Sequence, residues 1–169
     1  MKLNILPIRE LSGSKIPYEY SLDLSDLMLF GERPIPGGVL VSGFAEHRAD
    51  LFLLHMCLSY TVHTACARCL KPLTLEQKLE FTRVLVDRVE NEEEFDEQTL
   101  VLPQPDTVDL DEVAREAVIF NAQISYLCSP DCLGLCPRCG CDLNKGPCSC
   151  GPEPDERFAA LADLLKDQD

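Results

Sequence analysis

No uncharged stretch of this chain reaches the eighteen or so residues that a membrane helix needs. Before Arg9 and Glu10 the amino terminus offers only a short apolar run, too brief for the core of a signal peptide, so a cytoplasmic chain without membrane contact is expected. HExxH pairs, glycine-rich phosphate loops and GxSxG elbows are missing too. Only three histidines occur, His47, His55 and His63, in or beside strand-like runs where structural or surface roles are expected. A non-enzymatic protein without a small-molecule substrate is the expectation. Positive charge is also scarce: 15 Lys and Arg stand against 29 Asp and Glu, a formal net charge of −14, which excludes RNA affinity from bulk charge.

What is present is a globular chain with cysteine to spare. Hydrophobic residues make up 46% of 169, enough for one ordinary core. Residues 1–72 are neutral overall, so the whole charge lies in 73–169, and residues 87–116 alone hold 12 acids against Arg88 and Arg115. Three runs read as successive strands with short connections: GVLVSGFAEHR from Gly38, LFLLHMCLSYTVHTAC from Leu51, and residues 73–89. Residues 18–24 offer a further edge strand, and Cys57, inside an apolar strand, is expected to be buried. The segment DLDEVAREAVIF places Leu110, Val113, Ala114 and Ala117 on one helical face, with Asp109 as cap and Glu112 three residues on. DERFAALADLLK does the same with Phe158, Leu161, Ala162 and Leu165.

The expected class is α+β: an antiparallel sheet body with a few packed helices and a cysteine-rich, zinc-ribbon-like segment. The expected divisions are a β-rich body over 1–127, containing an acidic loop (about 87–108) and a helix (about 109–120); a cysteine-rich segment over 128–151; and a helix over 152–169 that docks on the body.

Ten cysteines, five of them within CPRCGCDLNKGPCSC at 136–150, admit a disulfide framework, a metal site or a reactive thiol centre. In a cytoplasmic chain clustered cysteine favours metal over disulfides. Thiolates two residues apart can share one ion, so Cys136 and Cys139 face Cys148 and Cys150 across the turn at 142–147 as one four-sulfur set. Gly140, lacking Cβ, lets the chain turn so that backbone N–H groups meet the sulfurs. The remaining close pairs, Cys66 and Cys69 on a hairpin tip and Cys128 and Cys132, make a second set, with Leu70 where a glycine is the more usual residue. Cys141 is the replacement ligand if the first set is misassigned by one. The expected cofactor is zinc, two ions per chain, with an iron–sulfur cluster as the competing metal reading.

In order and spacing these features resemble the YceD family, described as large ribosomal RNA subunit accumulation proteins. The resemblance rests on Cys66-Ala67-Arg68-Cys69-Leu70, the helix DLDEVAREAVI, Cys128-Ser-Pro-Asp-Cys132-Leu-Gly-Leu-Cys136-Pro-Arg-Cys139-Gly140, Asp142-Leu143-Asn144, Cys148-Ser149-Cys150 and the closing helix from Arg157 to Leu165. The family's Asp-Pro-Arg before that helix is Asp155-Glu156-Arg157 here, a departure that touches only the helix start. The resemblance implies a ribosome-biogenesis factor that supports synthesis or accumulation of large-subunit (23S) ribosomal RNA, with no catalytic residue. It also implies metal sites that stabilise the fold without performing the family's common task.

Charge constrains how such a factor acts. Each four-thiolate zinc site carries a formal charge of −2, so two would take the chain from −14 to about −18. Its partner is then expected to be ribosomal RNA met through a small local patch, Arg68, Lys71, Arg138 and Lys145, or a small basic protein of the large subunit met by Glu92, Glu93, Glu94 and Asp96. A thiol-based zinc redox switch or chaperone is the alternative, with a zinc-ribbon nucleic-acid reader third.

Overall fold

The computed structural model describes residues 1–9, 13–49, 51–86, 99–102 and 106–150. Glu92, Glu93, Glu94, Asp96 and the helix expected over 152–169 lie outside the described residues. The chain divides into two units, one formed by residues 1–64 and 72–126, the other by 65–71 and 127–169.

The first unit is a five-stranded sheet in the order β2-β3-β4-β5-β6, comprising β2 (Lys15–Asp23), β3 (Gly38–Arg48), β4 (Leu51–Ala65), β5 (Pro72–Val86) and β6 (Thr99–Val101). β2 and β4 both run antiparallel to β3, with Tyr18 opposite Gly43 and Gly43 opposite Met56. A step of two residues along β4, from His55 to Cys57, is met by a step of two in the other direction along β5, from Thr82 to Glu80, so this pair is antiparallel as well. The antiparallel sheet expected from the strand runs is therefore present. β6 departs from it by pairing parallel to β5. It lies in the stretch expected to be acidic loop, where Thr-Leu-Val favours a strand but three residues are too few to show a period.

Alternation sorts the faces. Leu54, Met56, Leu58, Tyr60 and Val62 of β4 are buried, together with Val39, Val41 and Ala45 of β3. Each such large side chain contributes about 1.5–3 kcal/mol by leaving water. Cys57, expected in the core, falls in the opposite phase and stands half-buried on the outer face, its Sγ 3.9 Å from Glu80 Oε1. Covering the inner face is helix α2 (Leu110–Phe120; α1 is the short turn Leu6–Arg9), which buries Leu110, Val113, Ala114, Ala117 and Val118. Asp109 caps α2 by accepting from the backbone N–H groups of Asp111 and Glu112. Two three-residue strands, β1 (Lys2–Asn4) and β7 (Thr107–Asp109), pair antiparallel and strap the amino terminus to the start of α2, where Leu110 N–H donates to Met1 O at 2.9 Å.

On the outer face His55 has a structural role, as expected. Its ring stacks on Phe44 with centroids 4.4 Å apart, Nε2 meets Glu46 Oε1 at 3.0 Å and Nδ1 meets Thr82 Oγ1 at 2.9 Å. Lys15 Nζ, 2.8 Å from Glu46 Oε2, together with His55 holds the buried Glu46 carboxyl below the usual carboxylate range. His47 is likewise tied down, with Nδ1 3.0 Å from Ile8 O and its ring against Phe52. His63 is exposed and its backbone N–H donates to Pro34 O. No helix among the described residues is long and apolar enough to cross a membrane.

Candidate metal centres

Both four-sulfur groups lie in the second unit, which joins the tip of the β4–β5 hairpin to the segment from Leu127 onward. Each is built on the same local fold. In the first, Cys66 N–H donates to Lys71 O at 2.8 Å and Leu70 N–H to Cys66 O at 2.9 Å; in the second, Cys136 N–H donates to Cys141 O at 2.8 Å and Gly140 N–H to Cys136 O at 2.9 Å. The residue after the second cysteine takes the left-handed backbone in both turns, Leu70 at φ 59° and Gly140 at φ 71°. Residues 66–71 and 136–141 are thus two copies of one knuckle, each with Arg before its second cysteine.

The turn exists because it aims N–H groups at sulfur. Cys69 N–H meets the Cys66 sulfur, and Cys139 N–H followed by Arg138 N–H meets that of Cys136, pulling both thiols down to about 6. Cys141 N–H likewise lowers the Cys139 thiol from its ordinary value. Contact with a neighbouring sulfur acts the other way, that of Cys132 pushing Cys128 up to about 12 and that of Cys139 pushing Cys150 up to about 12. Four sulfurs this close cannot all be thiolates without a cation among them.

The geometry fits such a cation. Within each group the four Sγ atoms lie within 4.8 Å of one another. The sulfurs of Cys66 and Cys132 are 3.8 Å apart, those of Cys69 and Cys128 3.6 Å, and those of Cys136 and Cys148 3.5 Å. A tetrahedral ion with metal–sulfur bonds of about 2.3 Å sets its sulfurs about 3.8 Å apart. A disulfide would need about 2.05 Å. A four-iron cluster interposes its own iron and sulfide atoms and holds its thiolates farther apart than this. Cys66, Cys69, Cys128 and Cys132 can therefore hold one ion, and Cys136, Cys139, Cys148 and Cys150 another. Cys141 belongs to neither group.

The four cations of the expected RNA patch are all in this unit. Arg68 is engaged within the protein: Nη1 donates to Cys132 O at 2.8 Å and to Pro130 O at 3.5 Å, clasping the hairpin tip to the segment that carries two of its partner cysteines. Lys145 Nζ is 3.9 Å from Asp142 Oδ2, and Lys71 adds to the positive field on that same carboxylate. Arg138 shares its backbone N–H with the sulfur of Cys136. Sequence reasoning did not find the role of Asn144, whose side chain reaches Cys132 Sγ; the one available signal was an amide in a turn between cysteine pairs.

Leu70 offers a direct test of the knuckle. A non-glycine residue in the left-handed region costs roughly 1–2 kcal/mol, and Leu70 is exposed and buries little in return. Leu70→Gly removes that strain while adding unfolded-state entropy of roughly 0.5–1 kcal/mol. Stability of the metal-loaded protein to denaturant is expected to be unchanged or slightly raised, whereas Leu70→Ala should gain nothing.

A profile of the family described as large ribosomal RNA subunit accumulation protein YceD matches residues 54–165, a span that includes all eight clustered cysteines. Uncharacterized proteins of Mycobacterium tuberculosis and Mycobacterium bovis are each 33% identical over 103 residues, 59% of this chain and 49% of theirs. A chloroplastic protein of Arabidopsis thaliana, described as large ribosomal RNA subunit accumulation protein YCED homolog 1, is 33% identical over 63 residues, 37% of this chain and 20% of its own length. The chain thus spans about half the length of the mycobacterial relatives it matches. No solved structure matches.

Proposed function

The chain belongs to the YceD family of large ribosomal RNA subunit accumulation proteins, and from that premise we propose that it is a non-enzymatic ribosome-biogenesis factor supporting the synthesis or accumulation of 23S ribosomal RNA, with two structural zinc ions. A ribosome-related role follows from the family. The observation that supports the finer reading is the pair of closed four-sulfur groups inside the matched span. Four thiolates saturate a tetrahedral ion and leave no position for substrate or water, so the zinc holds structure and performs no hydrolysis. Zinc is favoured over harder ions because all eight donors are soft thiolates.

The partner is ribosomal RNA or a small basic protein of the large subunit. Net charge of −14 makes general adhesion to RNA unfavourable, so any RNA contact is local, at the cations around the knuckles. With Arg68 Nη1 already donating to two carbonyls, Lys71 and Lys145 are better candidates than Arg68. Glu92, Glu93, Glu94 and Asp96 are the proposed contact for a basic protein, an assignment that rests on charge alone. In cells deprived of this protein the ratio of 23S to small-subunit ribosomal RNA is expected to fall and to recover with the parent gene. An unchanged ratio on depletion would contradict the proposed function.

A further inference from the structure

The loop between Cys139 and Cys148 belongs by sequence to the second four-sulfur group, yet it bonds to residues 132–135 and reaches one sulfur of the first. Asp142 starts a single 3-10 turn, Leu143–Lys145, by accepting from Asn144 N–H at 3.0 Å. The Asn144 side chain then makes three bonds. Its Oδ1 accepts from Leu133 N–H at 2.8 Å, and its Nδ2 donates to Asp142 Oδ1 at 2.7 Å and to Cys132 Sγ at 3.5 Å. Reversing the amide would set its NH2 against the Leu133 N–H and its oxygen against the Asp142 carboxylate, so these neighbours fix its orientation. Leu143 N–H adds a fourth link to Gly134 O at 2.9 Å, and Leu135 bridges to Asp142.

Cys132 is buried and belongs to the first group. Its carbonyl is held by Arg68 from the hairpin tip and its sulfur by Asn144 from the loop of the second group. That loop is anchored on both sides by second-group cysteines, Cys136 and Cys139 before it and Cys148 and Cys150 after it. An ion in the second group closes the loop and so places the Asn144 amide on a first-group sulfur. A donor on a coordinating thiolate stabilises its charge, and restraining the ligand lowers the ordering cost of binding.

We infer that the two metal centres are thermodynamically coupled, with Asn144 as the positioning residue through which filling the second group tightens the first. This rests on both groups holding an ion. Linkage makes the effect reciprocal, so an ion in the first group tightens the second by the same factor.

Cadmium-113 gives a site-resolved test in the full chain, because each four-thiolate group contributes its own resonance, assigned by its loss in Cys66→Ser or in the double variant Cys148→Ser/Cys150→Ser. Competition with a chelator then reports the affinity of the first group in the parent, in Asn144→Ala, in the double cysteine variant and in the combination of the two. Asn144→Ala is expected to weaken the first group by about 10–100-fold, the usual consequence of losing an outer partner of a ligand. Disabling the second group should weaken it by a similar factor, and the combination should be no worse than either alone. Asn144→Asp, which keeps the acceptor for Leu133 but removes the donor to sulfur, should weaken the first group at least as much. First-group affinity unchanged in Asn144→Ala or Asn144→Asp, or losses that multiply in the combination, would overturn the coupling while leaving both metal sites in place. A parent chain that binds fewer than two ions would instead defeat the metal reading itself, and the coupling with it.

Discussion

Cys66→Ser is expected to lower bound zinc from two ions per chain to one and to release the segment around Cys128 and Cys132 from the hairpin tip. Cys66 is fully buried, and its sulfur partner Cys132 lies 66 residues away along the chain, so the ion closes a long loop as well as a coordination shell. Structural zinc contributes apparent binding energies of about 10–16 kcal/mol in small zinc domains, and those energies are folding energy. Without one thiolate, what still joins the tip to this segment is chiefly the Arg68 contacts to Cys132 O and Pro130 O and the Leu135 N–H bond to Arg68 O at 3.0 Å. Such bonds contribute only about 1–3 kcal/mol each. Hydrogen exchange over residues 65–71 and 127–135 should therefore rise sharply while the inner strands β3 and β4 stay protected. Cys57→Ser, outside both groups, should retain two zinc ions. Full zinc content and unchanged exchange in Cys66→Ser would remove the first centre from the account.

Gly43→Ala should be the most damaging small substitution in the sheet. A Cβ at Gly43 would stand 2.0 Å from His55 O and 2.8 Å from Tyr18 Oη. The first neighbour is backbone of the paired strand and cannot rotate away. The second is the buried tyrosine whose hydroxyl crosses the glycine to donate to His55 O at 2.8 Å. Alanine must therefore part β3 from β4 or expel Tyr18, leaving a carbonyl without its donor and disturbing the residue that pairs with Glu46 and Thr82. A loss of about 3–5 kcal/mol is expected in denaturant unfolding followed by the β-sheet circular dichroism signal. Gly38 is the control, because its Cβ would meet Ser21 Oγ at 2.4 Å, a hydroxyl that can turn aside. A Gly43→Ala protein as stable as Gly38→Ala would show that the strands part more easily than this packing implies.

The long strands were legible because one face is buried, and burial writes a two-residue period into β3 and β4. The helix over 110–120 was legible through its apolar stripe and the cap at Asp109. Cysteine spacing carried the two groups because two knuckles of the same form leave few ways to complete a tetrahedron. The short pairing of β1 with β7 left no trace, since three residues cannot display a period and their partners lie over a hundred positions away. The same holds for β6. Cys57 was misplaced although the alternation of Leu58 and Ser59 already put it in the outward phase. Arg68 and Asn144 were invisible in their structural roles, because a guanidinium on carbonyls or an amide on a sulfur depends on where distant backbone comes to rest. Leu70 departs from the usual glycine without changing the turn: glycine is the cheaper residue at a left-handed position, but the bonds at Cys66 hold a leucine there.

Elemental analysis of the purified protein, read together with its visible absorption spectrum, decides whether zinc fills both four-sulfur groups. Two zinc ions per chain and no colour are expected, falling to one in Cys66→Ser and to one in the double variant Cys148→Ser/Cys150→Ser. A brown protein carrying iron and sulfide, or a colourless one holding no metal with its cysteines freely reactive, would contradict the zinc assignment.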